Sequence, residues 1–224
     1  MNILLTNDDG FEAKGINLLA TLLSKYGEVY TVAPKTVMSA KSVSIILNRP
    51  IEVKKVNEHL YVTDGTPADC VAFGLSSLGV KFDVVVSGIN HGHNISYDTM
   101  YSGTIGACLQ ALTFKVPAIA FSCEHNFDVV EKYFDDVFTH ILNLKLLSSE
   151  YLLNVNFPIG DEVKGILDTY IYYRNEVTYY EHVKGDLYQA KRVLKDDHCI
   201  DPKSDVYAVN HGYISISKLK KKLD

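Results

Sequence analysis

"NILLTNDDG", residues 2–10, decides the fold class. Ile3, Leu4 and Leu5 form an unbroken apolar run that stops at two adjacent carboxylates, Asp8 and Asp9, followed by Gly10. A strand wet on one face alternates apolar and polar residues, whereas a run without alternation belongs to a strand covered on both faces. Similar apolar runs recur in "EVYTVAP" (28–34), "FDVVVSG" (82–88), "VPAIAFS" (116–122) and "YLLNVNF" (151–157). Segments of helical spacing lie between them. One carries Ile16, Leu19, Leu22 and Leu23. A second opens at Thr66-Pro67 and carries Val71, Leu75 and Leu78. A third is "SGTIGACLQALTF" from Ser102, and a fourth is the amphipathic stretch from about Phe127 to Leu147. Strands alternating with helices predict a doubly wound, mostly parallel α/β sheet of the Rossmann-like kind.

Two stretches break the alternation. Residues 43–62 read as short β segments inserted after the second strand. Residues 163–217 are rich in tyrosine and β-branched residues, with six tyrosines between positions 170 and 188, and read as a C-terminal antiparallel β extension. The chain is thus divided into an α/β catalytic domain (1–160) and a β extension (161–224) packed with it. So many aromatics on a small extension suit a contact with another subunit, hence an oligomerisation arm.

Composition excludes several classes. Net charge is −5, with Lys and Arg scattered apart from Lys218, Lys220, Lys221 and Lys222, so no nucleic-acid-binding face is expected. No apolar stretch approaches the ~20 residues that span a bilayer, and no secretory leader pattern opens the chain. Cys70, Cys108, Cys123 and Cys199 form no C-x-x-C pair. Free thiols in a reducing cytoplasm are expected.

Ligands of open α/β sheets bind beyond the carboxyl ends of the strands. There the first strand offers Asn7, Asp8, Asp9 and Gly10. The second leads to Ser39, and "FDVVVS" leads to "GINHGHNISYDTMYSGT". Adjacent carboxylates repel unless a cation neutralises them, and hard oxygen donors suit Mg²⁺, Mn²⁺ or Ca²⁺. The alternative is that one carboxylate caps the helix beginning near Lys14. Asn90 follows a buried strand, and Gly88 and Gly92 let the backbone approach a ligand. Ser102, Gly103 and Thr104 open a helix whose free N–H groups suit a phosphate. His91 and His93 lie in the same loop, facing solvent or serving as acid to the leaving group. A phosphate cradle beside a hard metal implies hydrolysis of a phosphate ester. No P-loop and no G-x-G-x-x-G motif is present.

"ILLTNDDG", Ser39, "GTPADCV", "VVVSGINHGHN" and "YSGT", with later echoes in "NVNFP" and "SDVYAVNHGYISIS", together resemble the stationary-phase survival protein SurE family. The resemblance implies a phosphoric monoester hydrolase acting on nucleoside 5′- and 3′-monophosphates, with one Mn²⁺ or Mg²⁺ per subunit. It places metal ligands on Asp8, Asp9, Ser39 and Asn90, with Asp8 and Asp9 catalytic. It puts substrate contacts on Asn7, Gly88, Asn90, Gly92, Asn94, Ser102, Gly103 and Thr104. It also implies a homodimer or homotetramer that exchanges its C-terminal arm.

The chain departs from that pattern twice. Met38-Ser39-Ala40 replaces Arg-Ser-Gly, which removes a charge near the phosphate. Ser96 replaces a glycine, which stiffens or reshapes the ligand loop. A water attacking phosphorus in line, with Asp8 or Asp9 as base, is the expected chemistry, and a carboxylate nucleophile is the alternative. A dehalogenase-type phosphatase would want D-x-D after the first strand. A receiver module would want an aspartate after the third strand and a lysine after the fifth, where this chain has "SGIN" and "FSCE". A nucleotide-binding module without hydrolysis is the remaining alternative.

Overall fold

A computed structural model describes residues 1–124, 127–160, 162–196 and 199–220. The elements follow the chain as β1 (Asn2–Thr6), α1 (Lys14–Leu23), β2 (Glu28–Pro34), β3 (Val53–Lys55), β4 (Leu60–Thr63), α2 (Pro67–Ser77) and β5 (Val84–His91). Then come α3 (Asp98–Tyr101), α4 (Gly103–Thr113), β6 (Ala118–Cys123), α5 (Asp128–Asn143) and β7 (Tyr151–Asn156). The last part holds β8 (Ile166–Thr169), β9 (Asn175–Lys184), β10 (Leu187–Asp196), α6 (Asp205–Asn210) and β11 (Ile214–Lys220). Among the described residues one nine-stranded sheet runs in the order β3-β4-β2-β1-β5-β6-β7-β11-β8. From β4 through β7 every neighbouring pair is parallel.

The apolar runs are buried because both faces are covered. Ile3 and Leu5 of β1 join one core with α1 and α5, including Leu19, Phe134 and Phe138. Leu4, between them, joins the other with Val71 of α2 and Ile105 of α4. Ile3, Leu4 and Leu5 are fully buried. Each such side chain contributes about 1.5–3 kcal/mol relative to exposure. Helix α2 starts as predicted: Thr66 Oγ1 accepts the Asp69 N–H, Asp69 returns its carboxylate to the Thr66 N–H, and Pro67 occupies the first turn.

The two irregular stretches need correction in detail. Only Val53–Lys55 and Leu60–Thr63 form strands within or beside residues 43–62. Residues 43–52 run without regular structure, held by Ile46 N–H on Asp69 and by Glu52 N–H on Asp64. After residue 160, β11 adds to the main sheet antiparallel to β7, and β8 pairs parallel to β11. Only β9 and β10 stand apart, as a separate antiparallel hairpin. Tyr179, Tyr180, Val183, Leu187 and Tyr188 are exposed on it. No described helix is long and apolar enough to cross a membrane. Cys70, Cys108, Cys123 and Cys199 are all buried, and none is held in a disulfide among the described residues.

Candidate active site

The carboxyl ends of β1, β2 and β5 deliver their loops to one cavity of about 230 Å³. It is lined by Asp8, Asp9, Ser39, Asn90, Gly92, Asn94 and Ser102, together with Ala40, His91, His93, Asp98, Tyr101 and Arg192. Nine of the candidate site residues singled out in the sequence, His91 and His93 among them, therefore meet in one place. Met38 N–H donates to the Asp8 carbonyl at 2.7 Å, which fastens the Ser39 loop to the end of β1.

Asp8 is nearly buried, at 4% exposure. Thr104 Oγ1 donates to its Oδ1 at 2.7 Å, and the Gly103 N–H also reaches it. Burial raises its pKa to about 6, the Thr104 and Gly103 bonds oppose the rise, and the neighbouring Asp9 adds to it. Asp9 is raised too, mainly by burial, while the His91 N–H on its Oδ2 (3.3 Å) opposes this. A carboxylate lifted to about 6 is poorly satisfied by protein groups alone.

The capping alternative fails. Helix α1 has Ala13 at its N-cap and no side-chain cap. At Ser102-Gly103-Thr104, the start of α4, part of the donor set is already engaged within the protein. Ser102 Oγ takes the Ile105 N–H, while Gly103 N–H and Thr104 Oγ1 serve Asp8. Gly103 is required by this approach, since a Cβ there would stand 2.8 Å from Asp8 Cβ. The helix N-terminus thus partly stabilises the acidic pair itself.

Asn7 and Gly88 support the site without lining it. Asn7 is fully buried, and its Nδ2 donates to the Gly10 carbonyl at 2.8 Å, shaping the turn that carries the acidic pair. Gly88 allows a close approach to the Phe121 carbonyl on β6, where a Cβ would lie 2.4 Å away, so its neighbour is backbone and not ligand. Asn90 Nδ2 donates to the Gly92 carbonyl at 2.7 Å, which leaves Oδ1 as its coordinating atom. Asn94 Nδ2 is bonded to Ser122 Oγ, its N–H to Asn156 Oδ1, and its carbonyl accepts from Asn154 and Asn156. The echo "NVNFP" is therefore the buried amide clamp of this loop. His93 does not simply face solvent: its Nε2 lies 2.6 Å from the Phe157 carbonyl and Nδ1 lies 3.5 Å from Glu124. Asp98, Tyr101 and Arg192 were not singled out in the sequence.

The donor set is two carboxylates, a hydroxyl and an amide oxygen, all hard. Among the described residues no group of three or more His, Cys, Asp or Glu side chains could hold a metal. A cation here would depend on the neutral oxygens of Ser39 and Asn90 as much as on the acids. One oxygen of each acid is oriented by a hydrogen bond, and this fits a hard divalent ion.

The family described as "Survival protein SurE" matches residues 3–178. The chain belongs to the SurE family. Among relatives, "5′-nucleotidase SurE" of Clostridium botulinum (strain 657 / Type Ba4) is 38% identical, over 98% of this chain and 92% of the relative. The protein of the same name from Pseudothermotoga lettingae is 37% identical, over 98% of this chain and 88% of its own. A solved structure, the SurE protein from Aquifex aeolicus, superposes with a TM-score of 0.88 at 32% identity. It covers all of this chain and 95% of its own.

Proposed function

We propose that this SurE-family chain is a metal-dependent phosphomonoesterase that hydrolyses nucleoside 5′-monophosphates, and 3′-monophosphates as well, to nucleoside and phosphate. The observation that carries the reading is the convergence of Asp8, Asp9, Ser39 and Asn90 on one polar cavity, in a chain whose relatives are named 5′-nucleotidase. Asp8, Asp9, Ser39 Oγ and Asn90 Oδ1 would hold one Mn²⁺ or Mg²⁺. When bound, the cation offsets charge on the phosphoryl oxygens and makes water more acidic. Ser102, which lines the cavity, orients the phosphoryl group through its hydroxyl. One carboxylate of the pair accepts the proton of the water that attacks phosphorus in line.

The protein works in the cytoplasm, where its buried thiols stay reduced. It assembles as a dimer or tetramer through the hairpin, whose exposed tyrosines and valines support that role.

The test is phosphate release from a panel of nucleoside monophosphates with Mn²⁺, with Mg²⁺ and after EDTA. Release that chelation abolishes and metal restores is expected. Folded protein that binds nucleotide yet releases no phosphate with any metal would overturn hydrolysis and leave a binding module.

A further inference from the structure

Besides the acidic pair, the cavity wall carries Asp98 from α3 and Arg192, which reaches it from β10 of the hairpin. Arg192 is the one arginine among the lining residues, and no lysine accompanies it. Three carboxylates therefore line the space with a single arginine, while Arg174, outside the lining, stands 3.8 Å from Asp98 Oδ2. The N-terminus of α4 redresses the balance only in part, because the Gly103 N–H and the Thr104 hydroxyl already serve Asp8 and the Ile105 N–H serves Ser102 Oγ. A phosphate dianion would meet a predominantly negative wall. A guanidinium is the group whose planar fork matches phosphoryl oxygens.

The surroundings of Arg192 hold it ready without consuming it. Its Nη1 is paired with Asp98 Oδ1, its Nε lies 3.1 Å from Glu176 Oε1, and it stands 5.5 Å from the Tyr101 ring. A guanidinium has five N–H donors, and these two pairings leave donors for a ligand. Glu176 is 8% exposed and is also approached by Arg174 at 3.5 Å, whereas Arg192 is 42% exposed. The buried Glu176 fixes the root of the side chain. Asp98, on the cavity wall, is the partner with which an incoming phosphate competes.

We propose that Arg192 binds the phosphate of the substrate, with Asp98 as its resting counter-ion. This rests on the phosphatase reading above and goes beyond it, because it places a substrate-binding residue on the hairpin. It also supplies, from the far end of the chain, a positive charge that Met38-Ser39-Ala40 lacks.

The experiment is calorimetric titration of the metal-loaded protein with inorganic phosphate, alongside steady-state kinetics on a nucleoside monophosphate. Arg192→Ala is expected to weaken phosphate binding and raise KM by about 10- to 100-fold, the range of a hydrogen bond between charged groups. Arg192→Lys should lose less. Asp98→Asn should act in the opposite direction and tighten phosphate binding, because it removes the competitor and keeps Glu176. Lys191→Ala alters a neighbour on β10 that lies outside the cavity and is paired with Glu181, so it should leave both readouts unchanged. If Arg192 merely fastened the hairpin, Asp98→Asn would weaken phosphate binding just as Arg192→Ala does. That result, or unchanged binding in Arg192→Ala from an active wild type, overturns this inference alone. A wild-type protein that neither binds phosphate nor releases it overturns the phosphatase reading, and this one with it.

Discussion

Replacing Thr104 by valine tests whether Asp8 is tuned by the helix that meets it. The two side chains are close in shape, so Thr104→Val leaves no cavity and removes only a hydroxyl. That hydroxyl donates at 2.7 Å to Asp8 Oδ1, with Thr104 fully buried and Asp8 at 4% exposure. A hydrogen bond to a charged, buried acceptor carries about 1.5–3 kcal/mol. Because the bond favours the ionised carboxyl, its loss pushes the Asp8 pKa above its present value of about 6. A metal binding near pH 7 must then displace a more tightly held proton. Each 1.4 kcal/mol is about a factor of ten, so Mn²⁺ affinity should fall roughly 10- to 100-fold. Calorimetric Mn²⁺ titrations at pH 7 and pH 9 read this directly. The deficit should shrink at pH 9, where no proton competes, and kcat at saturating metal should largely recover. Unchanged Mn²⁺ affinity at pH 7 would refute the reasoning, as would a deficit equally large at both pH values.

Two further outcomes follow from the same geometry. Without metal, the Asp8 carboxyl titrates near 6 in the folded chain against 3.8 when unperturbed, so its ionisation costs stability as pH rises through that window, to roughly 3 kcal/mol above it. Thermal melts in EDTA should therefore find Asp8→Asn more stable than wild type at pH 7.5, with the gap closing towards pH 4, and added Mn²⁺ should reverse the order at pH 7.5. At the base of the hairpin, Ser96 sits at φ 52°, and its Oγ accepts the Arg174 N–H at 3.0 Å. Ser96→Gly should relieve about 1 kcal/mol of backbone strain while losing a bond of similar worth. Global stability should barely move, and hydrogen exchange at the Arg174 amide should accelerate; exchange at the wild-type rate would contradict that role.

Much of this was legible in the sequence, and the limits have physical causes. The central strands could be read because burial on both faces leaves an apolar run with no polar residue to blur it, as in Ile3-Leu4-Leu5. The cluster of loops followed from where such sheets bind ligands. The register of the last strand was harder. "ISIS" alternates like a half-exposed strand, yet Ser215 and Ser217 are as buried as Ile214 and Ile216, because the Thr169 hydroxyl of β8 meets both serines at 2.7 Å. A hydroxyl ladder inside a sheet looks the same in sequence as a wet face. Ser102-Gly103-Thr104 was legible only in part: its donors do suit an anion, and those of Gly103 and Thr104 already hold Asp8.

The adjacency of Asp8 and Asp9, the first puzzle of the sequence, is therefore only partly relieved by the fold. The first turn of α4 steadies one carboxylate and the His91 N–H the other, yet both still titrate above their ordinary value. A protein that invested a helix N-terminus, a close-packed glycine and a fixed amide in two acids, and left them still strained towards protonation, has kept a site whose negative charge is to be completed from outside. The same charge repels a phosphate ester in the absence of compensation. No local motif marks Arg192 as that compensation, because a lone arginine is what any exposed strand carries. Only the fold, by laying β10 over Asp98, brings it to the acids.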